Sequence, residues 1–272
     1  MTKPQGRVLI VAGSDSGGGA GIQADIKTVS ALGGYAMTAI TAITVQNTLG
    51  VSGVHEVPLE IVRAQIEAVM GDLGADAWKL GMLGSAAHVG AVADAYERVG
   101  GGVPMVVDPV MIAKGGAALV ANDAIEVIAT RLAPLAAIIT PNAPEAEALT
   151  DIEVRDLDGQ MSAAEKLVEE FGAYAALVKG GHIEGEVIRD VLLTREGFRV
   201  FEIGRIATRA THGTGCTFAS AVAAHLARGA SIEQAVEKAH AYLIEAIRHA
   251  PGLGQGHQPL GHNWPLASKA NT

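Results

Sequence analysis

The feature that most constrains this chain is the alternation of short aliphatic runs with longer amphipathic stretches. Val8 to Ala12, Ala36 to Val45, Pro104 to Val107, Ala136 to Ile139 and Ala175 to Val178 are short runs rich in aliphatic residues. A strand covered on both faces loses its polar alternation, so these runs read as buried strands. Between them, Ile22 to Leu32, Leu59 to Met70, Ala86 to Val99, Asp123 to Leu132 and Ser162 to Phe171 repeat their apolar residues with helical period. Strands alternating with helices imply right-handed crossovers and a mostly parallel sheet with helices on both sides, an α/β fold of three layers. Ligands in such folds gather at the carboxyl ends of the strands.

The pattern changes near residue 187. Val187 to Thr194 and Phe198 to Ile203 flank Arg195-Glu196-Gly197 and read as an antiparallel hairpin. Two Ala-rich helices follow, Thr217 to Ala227 and Ile232 to Ile247, then a Gly/Pro/His-rich tail without regular structure. With 272 residues, 49% of them hydrophobic, and no linker or repeat, the expectation is one domain spanning 1–272. Twenty basic against 29 acidic residues give a net charge of −9, which argues against nucleic acid as a partner. No apolar run approaches the roughly 18 residues of a membrane span, and the N-terminus lacks a signal-peptide pattern. A soluble, cytoplasmic protein without a membrane partner is therefore expected.

Two glycine-rich loops stand at strand-to-helix junctions. Gly13-Ser14-Asp15-Ser16-Gly17-Gly18-Gly19-Ala20-Gly21 contains a G-x-G-x-x-A match at Gly19, Gly21 and Ala24, but the acidic residue of a dinucleotide site is missing from Thr44-Val45-Gln46-Asn47. No Walker A sequence is present. A tight turn and a ligand loop both fit this segment. Asp25, early in the following helix near Ile22, Ile26 and Val29, which are expected to face the core, fits either a helix-dipole partner or a hydrogen-bond acceptor for substrate. The second loop, Thr211-His212-Gly213-Thr214-Gly215-Cys216-Thr217, opens an Ala-rich helix and converges several amides into an anion site. Cys216, the sole cysteine, occupies that helix start, where the dipole is expected to lower the thiol pKa. It fits a base or nucleophile, or a small buried apolar residue.

Other polar residues fall at strand ends. Asn142 and Glu145 fit either a Mg²⁺ site or a capping box. Lys179, before Gly180-Gly181-His182, fits a phosphate-neutralising charge or a solvated loop residue. Asp108 could position metal or substrate.

Taken together, Ala12-Gly13-Ser14-Asp15, Gly19 to Asp25, Thr41 to Thr48, Lys79-Leu80-Gly81-Met82-Leu83, Asp108-Pro109-Val110-Met111, Thr140-Pro141-Asn142, Val178 to His182 and Thr211 to Thr217 resemble the hydroxymethylpyrimidine/phosphomethylpyrimidine kinases. The resemblance runs from about residue 7 to the tail. It implies a ribokinase-like fold, usually dimeric, using ATP and Mg²⁺ in thiamine biosynthesis. Such enzymes phosphorylate 4-amino-5-hydroxymethyl-2-methylpyrimidine and then its monophosphate. By the same resemblance Gln46 would bind the aminopyrimidine edge, with Gly13, Asp25, Met82 and Val110 completing the pocket. Asn142, Lys179, Thr211, Gly213 and Thr214 would hold ATP, and Asp108 and Glu145 the metal. Lys179 would also act in catalysis with the Gly213 to Gly215 anion hole, and Cys216 would be the general base.

Ser16-Gly17 stands where that family's loop has Pro-Ser, and the spacing in Gly252 to His257 also departs. Lys114-Gly115-Gly116 is a candidate lid by its composition. A pyridoxine or pyridoxal kinase of the same fold is the nearest alternative. A non-catalytic pyrimidine-binding protein is disfavoured by the presence of Lys179, Cys216 and the Gly213 loop.

Overall fold

The computed structural model describes residues 6–111 and 122–266. The lid candidate Lys114 to Gly116 lies outside the described residues. One nine-stranded sheet has the order β3-β2-β1-β4-β5-β6-β7-β8-β9. Its centre is parallel: β1 (Arg7–Asp15), β2 (Tyr35–Asn47), β4 (Ala77–Leu80), β5 (Met105–Val107), β6 (Ile138–Ile139) and β7 (Ala176–Val178). The antiparallel strands are β3 (Gly50–Glu56) on one edge and the expected hairpin, β8 (Val187–Thr194) with β9 (Gly197–Gly204), on the other.

The lost polar alternation has a direct cause in β1. Leu9 and Val11 enter one core layer and Val8 and Ile10 the other, all four without exposure. Each such side chain contributes about 1.5–3 kcal/mol on burial. The first layer is closed by α2 (Leu59–Asp72), α3 (Ala86–Val99), α4 (Asn122–Val127) with its π-helical extension Ile128–Leu132, α5 (Ala143–Thr150) and α6 (Leu157–Glu169). The second is closed by α1 (Gly21–Ala31), α7 (Thr214–Leu226) and α8 (Ile232–Arg248). Buried Ala219, Ala221, Ala223 and Ala224 let α7 lie close across β4 and β5.

Some expectations shift. Helix α6 starts at Leu157, five residues before the predicted start, because Asp156 accepts from the Gly159 amide at 2.9 Å and caps it. Ile26, expected to face the core, is exposed, whereas Ile22 and Val29 are buried. The strands β3 and β4 were not anticipated. Among the described residues, no helix is long and apolar enough to cross a membrane.

Candidate active site

A cavity of about 350 Å³ opens at the carboxyl ends of the parallel strands. The predicted residues reach it from separate elements: Gly13 from β1, Gln46 from β2, Met82 after β4, and Asp108 and Val110 after β5. Asn142 and Glu145 follow β6, Lys179 follows β7, and Thr211, Gly213, Thr214, Gly215 and Cys216 form the entry to α7. Asp25 is the exception. It is fully buried and does not line the cavity, so its expected contact with substrate is replaced by an ion pair with Lys79, both oxygens lying 2.9 Å from Nζ.

The two glycine loops are in contact with each other. Asp15 accepts hydrogen bonds from the amides of Gly17 (2.7 Å), Gly19 (3.0 Å) and Ala20 (2.8 Å), and pairs with His212 Nε2 at 2.8 Å. Burial works to raise the Asp15 carboxyl, but His212 and the loop amides outweigh it and hold the group below its ordinary range. Gly213 has φ +82°, and a Cβ there would fall 1.8 Å from the Gly19 carbonyl oxygen. Only glycine meets both demands. Sequence reading missed the Asp15–His212 tie, since the partners are 197 residues apart. The tail closes the same region: the Thr211 hydroxyl meets His257 Nδ1 at 2.9 Å, and the His257 amide donates to the Thr48 carbonyl at 2.9 Å.

Charge collects at the next three strand ends. Lys179 Nζ donates to Asp108 Oδ1 at 3.1 Å, whereas the buried Asp108 Oδ2 has no partner. Asn142 and Glu145 form a reciprocal capping box, with Glu145 accepting from the Asn142 amide at 2.8 Å and Asn142 from the Glu145 amide at 3.0 Å. Burial pushes the Glu145 carboxyl up to about 7, against the attraction of Lys179 and with repulsion from Asp108. Burial also works against the Lys179 charge, but Asp108 and Glu145 hold its ammonium above the ordinary value. An orphaned carboxylate oxygen beside a second carboxyl that ionises reluctantly is an arrangement suited to a cation. Among the described residues no group of three or more His, Cys, Asp or Glu forms a metal cage, so phosphate and water oxygens would have to complete any shell.

Cys216 corrects an expectation. The residue is half-buried and lines the cavity, and desolvation pushes its thiol up to about 12. Lys79 and the Gly21 amide pull it down, and Asp25 and Asp108 push it further up. Desolvation and two carboxylates therefore act against the lowering expected at a helix start and favour the neutral thiol.

At the β2 wall, the Thr44 hydroxyl lies 2.9 Å from the Ser14 carbonyl oxygen and 3.0 Å from Gln46 Oε1, and its single proton can be given to only one of them. At the opposite end the cavity is apolar, lined by Ile188, Ile203, Leu243 and Ile247. Beside them His240 Nε2 meets Asp190 at 2.8 Å, and the other Asp190 oxygen accepts from the Gly180 amide at 2.8 Å. Neither the apolar lobe nor this pair was read from the sequence. Their residues lie on β8, β9 and α8, where the apolar pattern alone reads as core.

A slot with a polar amide, an amide-rich helix start, a lysine and paired carboxylates, all at the strand ends of a ribokinase-like sheet, define a small-molecule kinase. The chain belongs to the phosphomethylpyrimidine kinase family, whose profile it matches over residues 15–261. It is 48% identical over 257 residues to the hydroxymethylpyrimidine/phosphomethylpyrimidine kinase of Bacillus subtilis, covering 94% of each chain. It is also 48% identical over 262 residues to a thiamine biosynthesis bifunctional protein of Geobacter sulfurreducens, covering 95% of this chain and spanning 52% of that larger one. The ADP complex of Bacillus subtilis pyridoxal kinase superposes with a TM-score of 0.87 at 36% identity, covering 95% of this chain and 97% of that one.

Proposed function

We propose that this protein transfers the γ-phosphoryl group of ATP to 4-amino-5-hydroxymethyl-2-methylpyrimidine, and then phosphorylates the monophosphate to the diphosphate, in thiamine biosynthesis. The observation that carries this reading is the placement of Gln46, Met82 and Val110 in the same cavity as Cys216 and the Gly213 to Gly215 amides. An aminopyrimidine offers an adjacent donor and acceptor, and a carboxamide such as Gln46 carries both complements. The apolar lobe around Ile188 and Leu243 suits a nucleotide base. Lys179 and Asn142, with Thr211 and Thr214 at the second loop, lie between the two ends and suit the phosphates.

In the transfer, the substrate hydroxyl oxygen forms its bond to the γ-phosphorus while the bond from phosphorus to the β-γ bridging oxygen breaks, releasing ADP. The hydroxyl proton passes to the Cys216 sulfur, which enters the step as thiolate after giving its own proton to solvent. The Gly213, Thr214 and Gly215 amides and Lys179 stabilise the charge on the transferred group. Asp108 and Glu145 would hold Mg²⁺, which would supply positive charge to the phosphates. The second transfer brings an acceptor that is itself anionic, and the same donors offset the added repulsion.

A pyridoxal substrate is the second reading, supported by the close superposition on pyridoxal kinase. The Gln46 amide at the cavity wall favours the pyrimidine, because a pyridine alcohol lacks the aminopyrimidine's paired edge. A cytoplasmic homodimer belongs to the same proposal. Ile43, Val45 and Leu49, exposed by 52%, 64% and 66% on the β2–β3 extension, supply an apolar face for a second copy. Replacing the thiol tests the mechanism. Cys216→Ala is expected to reduce turnover about 10²–10⁴-fold, the range of general-base contributions, while leaving nucleotide affinity by calorimetry intact. Turnover near that of the parent would remove the base assignment.

A further inference from the structure

Lys79 is a lysine with no exposure, placed inside the sheet on β4 and absent from the cavity wall. Its ammonium lies 2.9 Å from both oxygens of the equally buried Asp25, and the Ser220 hydroxyl donates to Asp25 at 2.7 Å. Burial would strip the Lys79 charge, but Asp25 and neighbouring groups hold it above the ordinary lysine range. A buried ion pair is a poor device for stability, since a well-packed apolar pair of similar volume is often as stable or more so. Its position offers another reason. Ser220 and Cys216 are four residues apart on α7 and project from one face, so the helix face that clasps Asp25 also carries the thiol. Space for the ammonium is kept by Gly81, where a Cβ would fall 2.8 Å from Lys79 Nζ.

We propose that Lys79 is the buried counter-charge of the Cys216 sulfur, a positioning residue held in place by Asp25 and Ser220 that stabilises the thiolate while leaving the cavity free for substrate. This rests on the reading of Cys216 as the base. The charged groups acting on that sulfur are Lys79 from β4, Asp25 from α1 and Asp108 from the end of β5. Lys79 favours the thiolate, whereas Asp25 and Asp108 oppose it, and Lys179 Nζ and Asp108 Oδ2 also reach the loop, lying 3.5 and 3.4 Å from where a Cβ of Gly215 would be. The two ends of one ion pair therefore act on the thiol in opposite senses.

Cys216 is the sole cysteine, so iodoacetamide reports on one sulfur. Alkylation rates would be followed from pH 7 to 10 in the parent, Lys79→Met and Asp25→Asn, with near-ultraviolet circular dichroism confirming the fold. Lys79→Met is expected to slow alkylation about tenfold or more at a given pH, and Asp25→Asn to accelerate it about tenfold, each corresponding to one pK unit. If stranded charge prevents either single variant from folding, Lys79→Met/Asp25→Asn removes both charges and is expected to alkylate more slowly than the parent. Shifts of the same sign in both single variants, or unchanged rates in any folded variant, would overturn the proposal. Loss of turnover in Cys216→Ala with unchanged alkylation in the Lys79 variants would reject this inference alone. Retained turnover in Cys216→Ala with opposite alkylation shifts would instead reject the base reading.

Discussion

Among the described residues two lysine–carboxylate pairs are buried, and they differ in how fully they are satisfied. Lys79–Asp25 is sealed, with both side chains unexposed and both carboxylate oxygens bonded. Lys179–Asp108 borders the cavity, with Lys179 14% exposed and Asp108 Oδ2 lacking a partner. The sealed pair is complete without a ligand. The open pair is completed only by something that enters. Incomplete satisfaction at a cavity wall thus marks where chemistry occurs, whereas burial of charge alone does not.

The sharpest break between the pairs is expected from Lys179→Met. On the proposed reading it removes the donor to the phosphates, so phosphoryl transfer should fall about 10²–10³-fold, as when one oxyanion donor is lost. An equal loss of turnover and of melting temperature would mean that the open pair is structural after all.

Glu145→Gln gives a smaller effect with a definite pH dependence. The folded-state value of about 7 lies above the unfolded carboxyl value near 4.5, so the neutral form is favoured in the native state. The stability associated with that form is complete below about pH 4.5 and is lost as pH rises through 7. Without ligands, Glu145→Gln should therefore be more stable than the parent at pH 8, by about 1–3 kcal/mol, and the gain should vanish near pH 4.5. Its turnover should nevertheless drop about tenfold. Thermal unfolding at the two pH values checks the sign, and equal stability at pH 8 would show that Glu145 carries no buried-charge cost.

The smallest change is expected in the sealed pair. Ser220→Ala removes one hydrogen bond to Asp25 but leaves both Lys79 contacts, for a stability loss of about 1–2 kcal/mol in urea unfolding. A loss several times larger would mean that Asp25 depends on the hydroxyl more than on Lys79.

The sequence disclosed the layers well and the charge states poorly. Strand β1 was legible because both of its faces enter aliphatic cores, and the hairpin because Gly197, with φ +108°, ends its turn. Strand β4 was missed because Lys79 interrupts Ala-Trp-Lys-Leu, and nothing local reveals that this lysine is buried against a residue 54 positions away. Edge strand β3 was missed because Gly50, Gly53 and exposed polar residues leave no apolar rhythm. Thirteen of the fourteen residues singled out for the site line the cavity: Asp108, Asn142, Glu145, Lys179 and the Gly213 loop stand out at strand ends and helix starts, whereas Gln46, Met82 and Val110 were reached only through the family resemblance. The thiol went wrong for the opposite reason: its helix start is a local feature, but the desolvation that outweighs it belongs to the whole fold.

The central claim is that this cavity joins an aminopyrimidine to a phosphoryl donor. It is tested most directly by incubating the protein with Mg-ATP and, in parallel, hydroxymethylpyrimidine, its monophosphate and pyridoxal, with products resolved by mass. The account predicts phosphorylation of both pyrimidines, with pyridoxal turned over more slowly. Turnover of pyridoxal alone would contradict it.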